Sequence, residues 1–185
     1  MRALGISGSL RRDSSNTKLL RAAEELLPSF VELEIWDGLK AVPPFDEDDE
    51  TEVGPAVESL RHAVAAADVL LFATPEYNAS VPGQLKNAVD WLSRPFATSV
   101  LRGKPALVVG ASTGAFGAVW AQAELRKVLA TAGARVVEAE VAVGHAPTKF
   151  DEAGALLDAE TEEQLREALE VLAAEAPVRL VALAV

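Results

Sequence analysis

The sequence predicts an α/β protein with one parallel sheet covered by helices on both faces. Three observations carry that prediction. Five short apolar segments alternate with five helical patterns along the chain. Two of those segments, VLLFAT and ALVVGA, are continuous apolar runs, the pattern of strands buried on both faces. The chain has 185 residues, 50% hydrophobic and 24% charged, enough for one globular domain with its own core.

Residues 3–7 are short and apolar and form the first expected strand. Residues 17–27 then read as a helix. Residues 31–36 (VELEIW) alternate with period two, as a half-buried strand does. The acidic run FDEDDETE at 45–52 reads as a solvated loop, because like charges repel and stay in water. A helix over 55–66 leads to the strand 69–74, and a helix over 85–92 follows it. Pro82 suits the first turn of that helix, where its missing N–H has no partner to lose. The strand 106–111 precedes a helix over 118–132, with Leu125, Val128, Leu129 and Ala132 on one face and Gly133 as its stop. Residues 135–140 (RVVEAE) are the fifth strand. Thr161 and Gln164 have the spacing of a capping box, followed by the apolar face of Leu165, Ala168, Leu169 and Leu172. The domain is expected to span 1–176. The apolar tail 177–185 (PVRLVALAV) suits an extra edge strand or packing on a second subunit.

Composition excludes several functions. A net charge of −11 opposes non-specific binding to nucleic acid or to an anionic membrane surface. With no cysteine there is no disulfide, zinc–thiolate site or thiol nucleophile. His62 and His145 are far apart and lack ligand spacing, so no metal is expected. No signal peptide or membrane-spanning run is visible, and a cytoplasmic protein with neither membrane nor nucleic-acid partner is expected.

In an open parallel sheet, ligands bind beyond the carboxyl ends of the strands. Three loops there are unusual. GSLRRDSSNT (8–17) opens a helix and offers the hydroxyls of Ser9, Ser14, Ser15 and Thr17, the amide of Asn16 and the guanidinium of Arg11. Such a helix start suits a phosphate, although the same residues also cap helices routinely. It matches neither a Walker loop nor G-x-G-x-x-G. PEYNASVPG (75–83) places the chain's one tyrosine beside Glu76 and Asn78. GASTGAFGA (110–118) has glycines that let a chain approach a flat ligand closely, or simply turn. Together they suit a phosphate and a planar ring, the combination found in FMN.

GSLRRDSSN, PEYNASVPGQLKNAVDWLSRP and GKPALVVGASTGAFGA, with looser matches over 121–134 and 149–161, resemble the NAD(P)H-dependent FMN reductase family, the flavodoxin-like group of quinone, azo-dye and chromate reductases. The resemblance implies a flavodoxin-like three-layer sandwich with strand order 2-1-3-4-5. It also implies FMN as cofactor, NADPH or NADH as hydride donor, and quinones, free flavin or similar small molecules as acceptors in a ping-pong scheme. Ser9, Arg11, Ser15, Asn16 and Thr17 would hold the FMN phosphate. Pro75, Glu76, Tyr77 and Asn78 would line the isoalloxazine edge, and Ser112, Gly114 and Gly117 would form the opposite wall. No catalytic acid, base or nucleophile is expected among the side chains. The chain departs from the family pattern at Ser15, where an aromatic residue is common, at Gly117-Ala118 in place of a glycine pair, and at Trp120 in place of a basic residue. A flavodoxin-like electron carrier and a fold-only interaction module are the rival readings. The family's habit, together with Trp91, Trp120 and the apolar tail, predicts a homodimer or homotetramer.

Overall fold

The apolar runs form the centre of the sheet. In the computed structural model, which describes residues 1–176, the chain runs as β1 (Arg2–Ser7), α1 (Ser15–Leu26), β2 (Glu32–Trp36), α2 (Pro55–Ala66), β3 (Val69–Thr74), α3 (Gly83–Leu92), β4 (Pro105–Ala111), α4 (Val119–Thr131), β5 (Arg135–Val136), β6 (Ala142–Val143) and α5 (Ala159–Ala174). All pairings within the sheet are parallel, in the order β2-β1-β3-β4-β5, with β6 also on β4. Every residue of β3 and β4 is buried, as two covered faces require.

Alternation along the strands divides the core into two layers. Leu71 and Val109 point to one face and pack with Leu19, Leu20, Leu165, Leu169 and Leu172 from α1 and α5. Leu70, Phe72 and Val108 point to the other and pack with Leu60, Leu85, Trp91 and Leu125 from α2, α3 and α4. Each such side chain contributes ~1.5–3 kcal/mol on burial, so the two layers hold the helices at fixed heights along the strands. That fixes where the loops at the carboxyl ends emerge.

Four local expectations change. The fifth strand is not continuous over 135–140. Val137 donates to the Ala106 carbonyl, the chain then turns tightly with Ala139 donating to Val137, and Val141 rejoins β4 by accepting from Gly110. The detour keeps Glu138 and Glu140 in water while Val137 and Val141 stay buried, and Arg126 of α4 reaches across to Ala139 and Glu140. The cap of α5 is Asp158 rather than Thr161. Its carboxylate accepts from Thr161 N at 3.1 Å and Oγ1 at 2.5 Å, and pairs with Lys149 at 2.5 Å. Pro82 is the cap residue just before α3 rather than its first residue. Trp91 is 1% exposed, with its indole N–H on the Pro43 carbonyl and its ring against Phe45, so it supplies no subunit surface. The acidic run is largely exposed, with Glu50 paired to Arg94 at 3.3 Å. The tail 177–185 lies outside the described residues.

The bonds from Lys149, and then from Thr161, lower the Asp158 pKa from 3.8 to about 2. A depressed carboxylate stabilises the fold above its unfolded value and loses that contribution as pH falls toward its folded value. Asp158→Asn keeps a capping acceptor and loses the charge. The variant should unfold at lower denaturant than wild type at neutral pH, with the gap closing between about 4 and about 2. A gap that stays constant across that window would show that the charge has no role.

Candidate active site

β1, β3 and β4 are adjacent, so the loops that follow them meet at one edge of the sheet. Residues of all three line one open cleft of about 450 Å³.

The first loop leaves β1 at Gly8, whose N–H bonds the Ala73 carbonyl at 2.8 Å. A side chain there would meet Leu85 at 2.7 Å and Pro75 at 3.2 Å, so only glycine lets the first two loops approach this closely. Ser14 caps α1, its hydroxyl accepting from Asn16 N and Thr17 N. Asp13 is turned away onto Lys18 at 2.8 Å, and that bond lowers its pKa. Asn16 is 3% exposed, and its amide bonds both backbone groups of Ala111 at 2.9 Å, extending the sheet pattern to a side chain. Helix start and β4 end are thereby tied together.

The second loop is a two-residue hairpin. Tyr77 and Ser80 exchange backbone bonds of 3.2 and 3.1 Å, and Asn78 and Ala79 between them have φ of 54° and 58°. Both central residues with positive φ make this a type I′ turn. Two carboxylates connect the loop to α4. Glu76 Oε2 accepts from the backbone N–H of Trp120 and Ala121, each at 3.1 Å. It caps a helix whose own cap residue, Ala118, has no side-chain acceptor. Glu124 returns the contact from α4, accepting from Ser80 Oγ at 2.6 Å and Val81 N at 3.2 Å; the serine bond lowers its pKa most.

The third loop is held from behind. Ser112 and Gly114 accept from Ala146 N and His145 N, both at 2.9 Å. Gly117, at φ 57°, lies so close to the Ala142 backbone that a Cβ would stand 2.3 Å from its carbonyl carbon. Beneath lies Gln122, fully buried, its amide N–H on the Gly117 carbonyl.

The cleft gathers Ser9, Arg11, Ser15, Asn16, Pro75, Glu76, Tyr77 and Ser112. Thr17, Asn78, Gly114 and Gly117 are not among its lining residues. Thr17 bonds Ser7 Oγ at 3.0 Å, Asn78 sits at the hairpin tip, and Gly117 makes room for β6. Ser14, Ala111 and Thr113 also line the cleft. Ser14 is among the hydroxyls that the first loop offers, and its capping position ahead of the helix marks it further. Glu76 and Asn16 carry framework bonds that no local pattern reveals.

The model of the NADPH-dependent FMN reductase family matches residues 1–148. The chain belongs to the NADPH-dependent FMN reductase family. Within it, the chain is 43% identical over 175 residues, 93% of each protein, to an NAD(P)H-dependent FMN reductase of Pseudomonas aeruginosa. It is 36% identical to a 2-hydroxy-1,4-benzoquinone reductase of a Burkholderia species, covering 91% of this chain and 92% of that one. Among solved structures, the flavoenzyme NAD(P)H:(acceptor) oxidoreductase FerB of Paracoccus denitrificans superposes with a TM-score of 0.83 at 28% identity, over 95% of this chain and 99% of that one. The family's parallel sheet with order 2-1-3-4-5 is the one seen here. Among the described residues, no helix is long and apolar enough to cross a membrane.

Two measurements probe the framework. Asn16→Ala leaves the N–H and C=O of Ala111 without partners in a buried setting, at ~1–3 kcal/mol each. For a chain of this size that lowers the melting temperature by roughly 4–24 °C; calorimetry showing no change would contradict the assignment. Glu76→Ala should speed amide exchange at Trp120 and Ala121 on the order of tenfold or more, since bonds to a charged acceptor contribute ~1.5–3 kcal/mol. Unchanged exchange would mean that the helix start is held by other groups.

Proposed function

We propose that this FMN reductase holds FMN across the cleft, takes a hydride from NAD(P)H and delivers electrons to quinones or free flavin. The observation that supports this reading is the polarity of the cleft. One end offers the hydroxyls of Ser9, Ser14 and Ser15, the Arg11 guanidinium and the first turn of α1; the other offers Tyr77 and the backbone of 75–77 and 111–113.

The residues present fit the cofactor. A phosphate dianion favours a helix N-terminus and its free N–H groups. The nearby carboxylates are committed elsewhere, Asp13 to Lys18 and Glu76 to the start of α4, so they bring little opposing charge to the phosphate end. At the other end, Pro75 supplies no donor, and the peptide groups of Glu76 and Tyr77 border the cleft on a loop fixed at both ends by carboxylates. FMN supplies the redox chemistry, passing two electrons from a nicotinamide to an acceptor. The protein's work is placement. The bonds at Gly8, Asn16 and Glu76 hold the three loops at a set separation, and the backbone of His145 and Ala146 ties the third loop from behind.

One cleft serving donor and acceptor in turn gives a ping-pong scheme. A homodimer or homotetramer is part of the proposal. Tyr77 on the hairpin and Phe116 and Trp120 at the start of α4 are about half or more exposed, and Phe116 and Trp120 meet edge to face at 5.1 Å, an apolar surface that a subunit contact would cover.

Purified protein should bind about one FMN per chain, bleach with NADPH in the absence of air, and recover its colour on adding a quinone. Slow bleaching would favour an electron carrier, and failure to bind FMN a fold-only module. Arg11→Ala should weaken FMN binding about 10- to 150-fold, the equivalent of ~1.5–3 kcal/mol for a charge-assisted bond. Riboflavin, which has no phosphate, should bind the variant and wild type equally. Equal losses for both ligands would make Arg11 a support for the loop and not a phosphate ligand.

A further inference from the structure

The first loop has two sides. Ser9 and Arg11 line the cleft described above, and they also line a second open groove of about 700 Å³ at the carboxyl ends of β1 and β2. Arg12, next in sequence, lines only the second groove, and Lys40 faces it from the turn after β2. The floor between them is apolar, made by Ile35, Trp36 and Leu39, with the half-exposed Leu10 on one wall. Asp37 is the only acid among the lining residues.

The charges set this groove apart. The chain carries 28 acidic against 17 basic residues. Many of the described cations are committed: Lys18, Lys86, Arg94, Arg126, Arg135, Lys149 and Arg166 all stand in ion pairs. The side chains of Arg11, Arg12 and Lys40 make no hydrogen bond or ion pair among the described residues, yet they share one concavity. With Arg11 given to the flavin phosphate, Arg12 and Lys40 remain around the apolar floor and make a local positive field in a strongly acidic protein, and such a field concentrates anions.

We propose that this groove anchors the adenosine-phosphate half of the nicotinamide dinucleotide, a reading that rests on the flavin site above. The chemistry matches part by part. The apolar floor takes the adenine plane, Arg12 and Lys40 take phosphate oxygens, and Asp37, at the carboxyl end of β2, accepts from a ribose hydroxyl. An acid in the corresponding place does this in dinucleotide-binding α/β folds. The arrangement also meets a need of the shared cleft. The nicotinamide ring must enter where a quinone enters next, so its binding there cannot be tight. An anchor across the loop supplies donor affinity without filling the space needed by the acceptor. Arg11 and Ser9, common to both walls, put the two sites on opposite sides of one short segment.

The test uses the FMN-loaded full chain and three donors: NADPH, NADH and reduced nicotinamide mononucleotide, which lacks the adenosine phosphate. Flavin absorbance measures FMN content in each variant, so a failure of the flavin site itself is seen before any donor is added. Arg12→Ala and Lys40→Ala should each raise the KM for a dinucleotide about tenfold, the effect of losing one charge-assisted bond. FMN content and the KM for the mononucleotide should stay at wild-type values. A rise with NADPH alone assigns the cations to the 2′-phosphate, and a rise with both dinucleotides assigns them to the diphosphate; either supports the anchor. Adenosine 2′,5′-bisphosphate should compete with NADPH in wild type and lose that effect in the variants. Lys127→Ala removes a charge from α4, which packs on β4 and β5 at the other end of the sheet from the groove. An equal rise in that control, a rise with the mononucleotide, or no rise at all would each overturn the proposal.

Discussion

The paired bonds between the Asn16 amide and the backbone of Ala111 connect the start of α1 to the end of β4. α1 begins where a phosphate would be held; β4 ends where the wall of the cleft begins. Neither can shift along the strand direction without breaking two buried bonds, and an unpaired backbone group inside the protein costs more than a typical bond gains. The distance between the two ends of the cleft is therefore set by the sheet and not by the loops. The loops can be polar, glycine-rich and partly exposed, as a ligand site needs, because a rigid layer beneath them carries the geometry.

A second constraint is electrostatic. A chain with a net charge of −11 offers an anionic cofactor a poor general environment. The acids closest to the cleft are neutralised locally. Asp13 is engaged by Lys18, and Glu76 and Glu124 face N–H groups of a helix start or loop. Glu76 also sits where the dipole of α4 favours negative charge. The same carboxylates that would repel a phosphate are thus used to fix the second loop to α4, and the cations of the first loop are left unpaired.

Much of the fold could be read directly. β3 and α2 match their expected bounds, because a continuous apolar run and a proline-started amphipathic helix leave little choice. The strand order came with the family resemblance. The break between β5 and β6 could not be read, since RVVEAE alternates well enough for a strand; only the need to place both Val137 and Val141 inside produces the detour. Thr161 and Gln164 satisfied a local capping pattern, but Asp158, held by Lys149 nine residues before it, is the residue that caps α5. The three loops that meet at the cleft were singled out from their composition. The particular tasks of Asn16 and Glu76 were not, because their partners lie 95 and 44 or more residues away. Gly117 is the contact point with β6, a close approach that the loop's composition alone did not indicate.

The hairpin at 77–80 shows how these ties combine. Asn78 accepts the left-handed conformation at low cost, but Ala79, at φ 58°, does not; a left-handed L-residue costs ~1–2 kcal/mol. Such strain persists only where surrounding structure over-determines it. Here the Tyr77–Ser80 bridge closes the turn from within, Glu124 grips its far side, and Glu76 fixes its near side to α4. Each tie is exposed or half-exposed and modest alone. Acting on one turn, they leave the backbone of residues 75–77 a single position relative to β4. Dipoles that need no reorganisation when charge arrives are worth more to a reaction than stronger groups that must first move. A tight, strained hairpin with carboxylates at both ends therefore places fixed peptide groups along the cleft edge, where a relaxed loop would leave them to be ordered by the ligand.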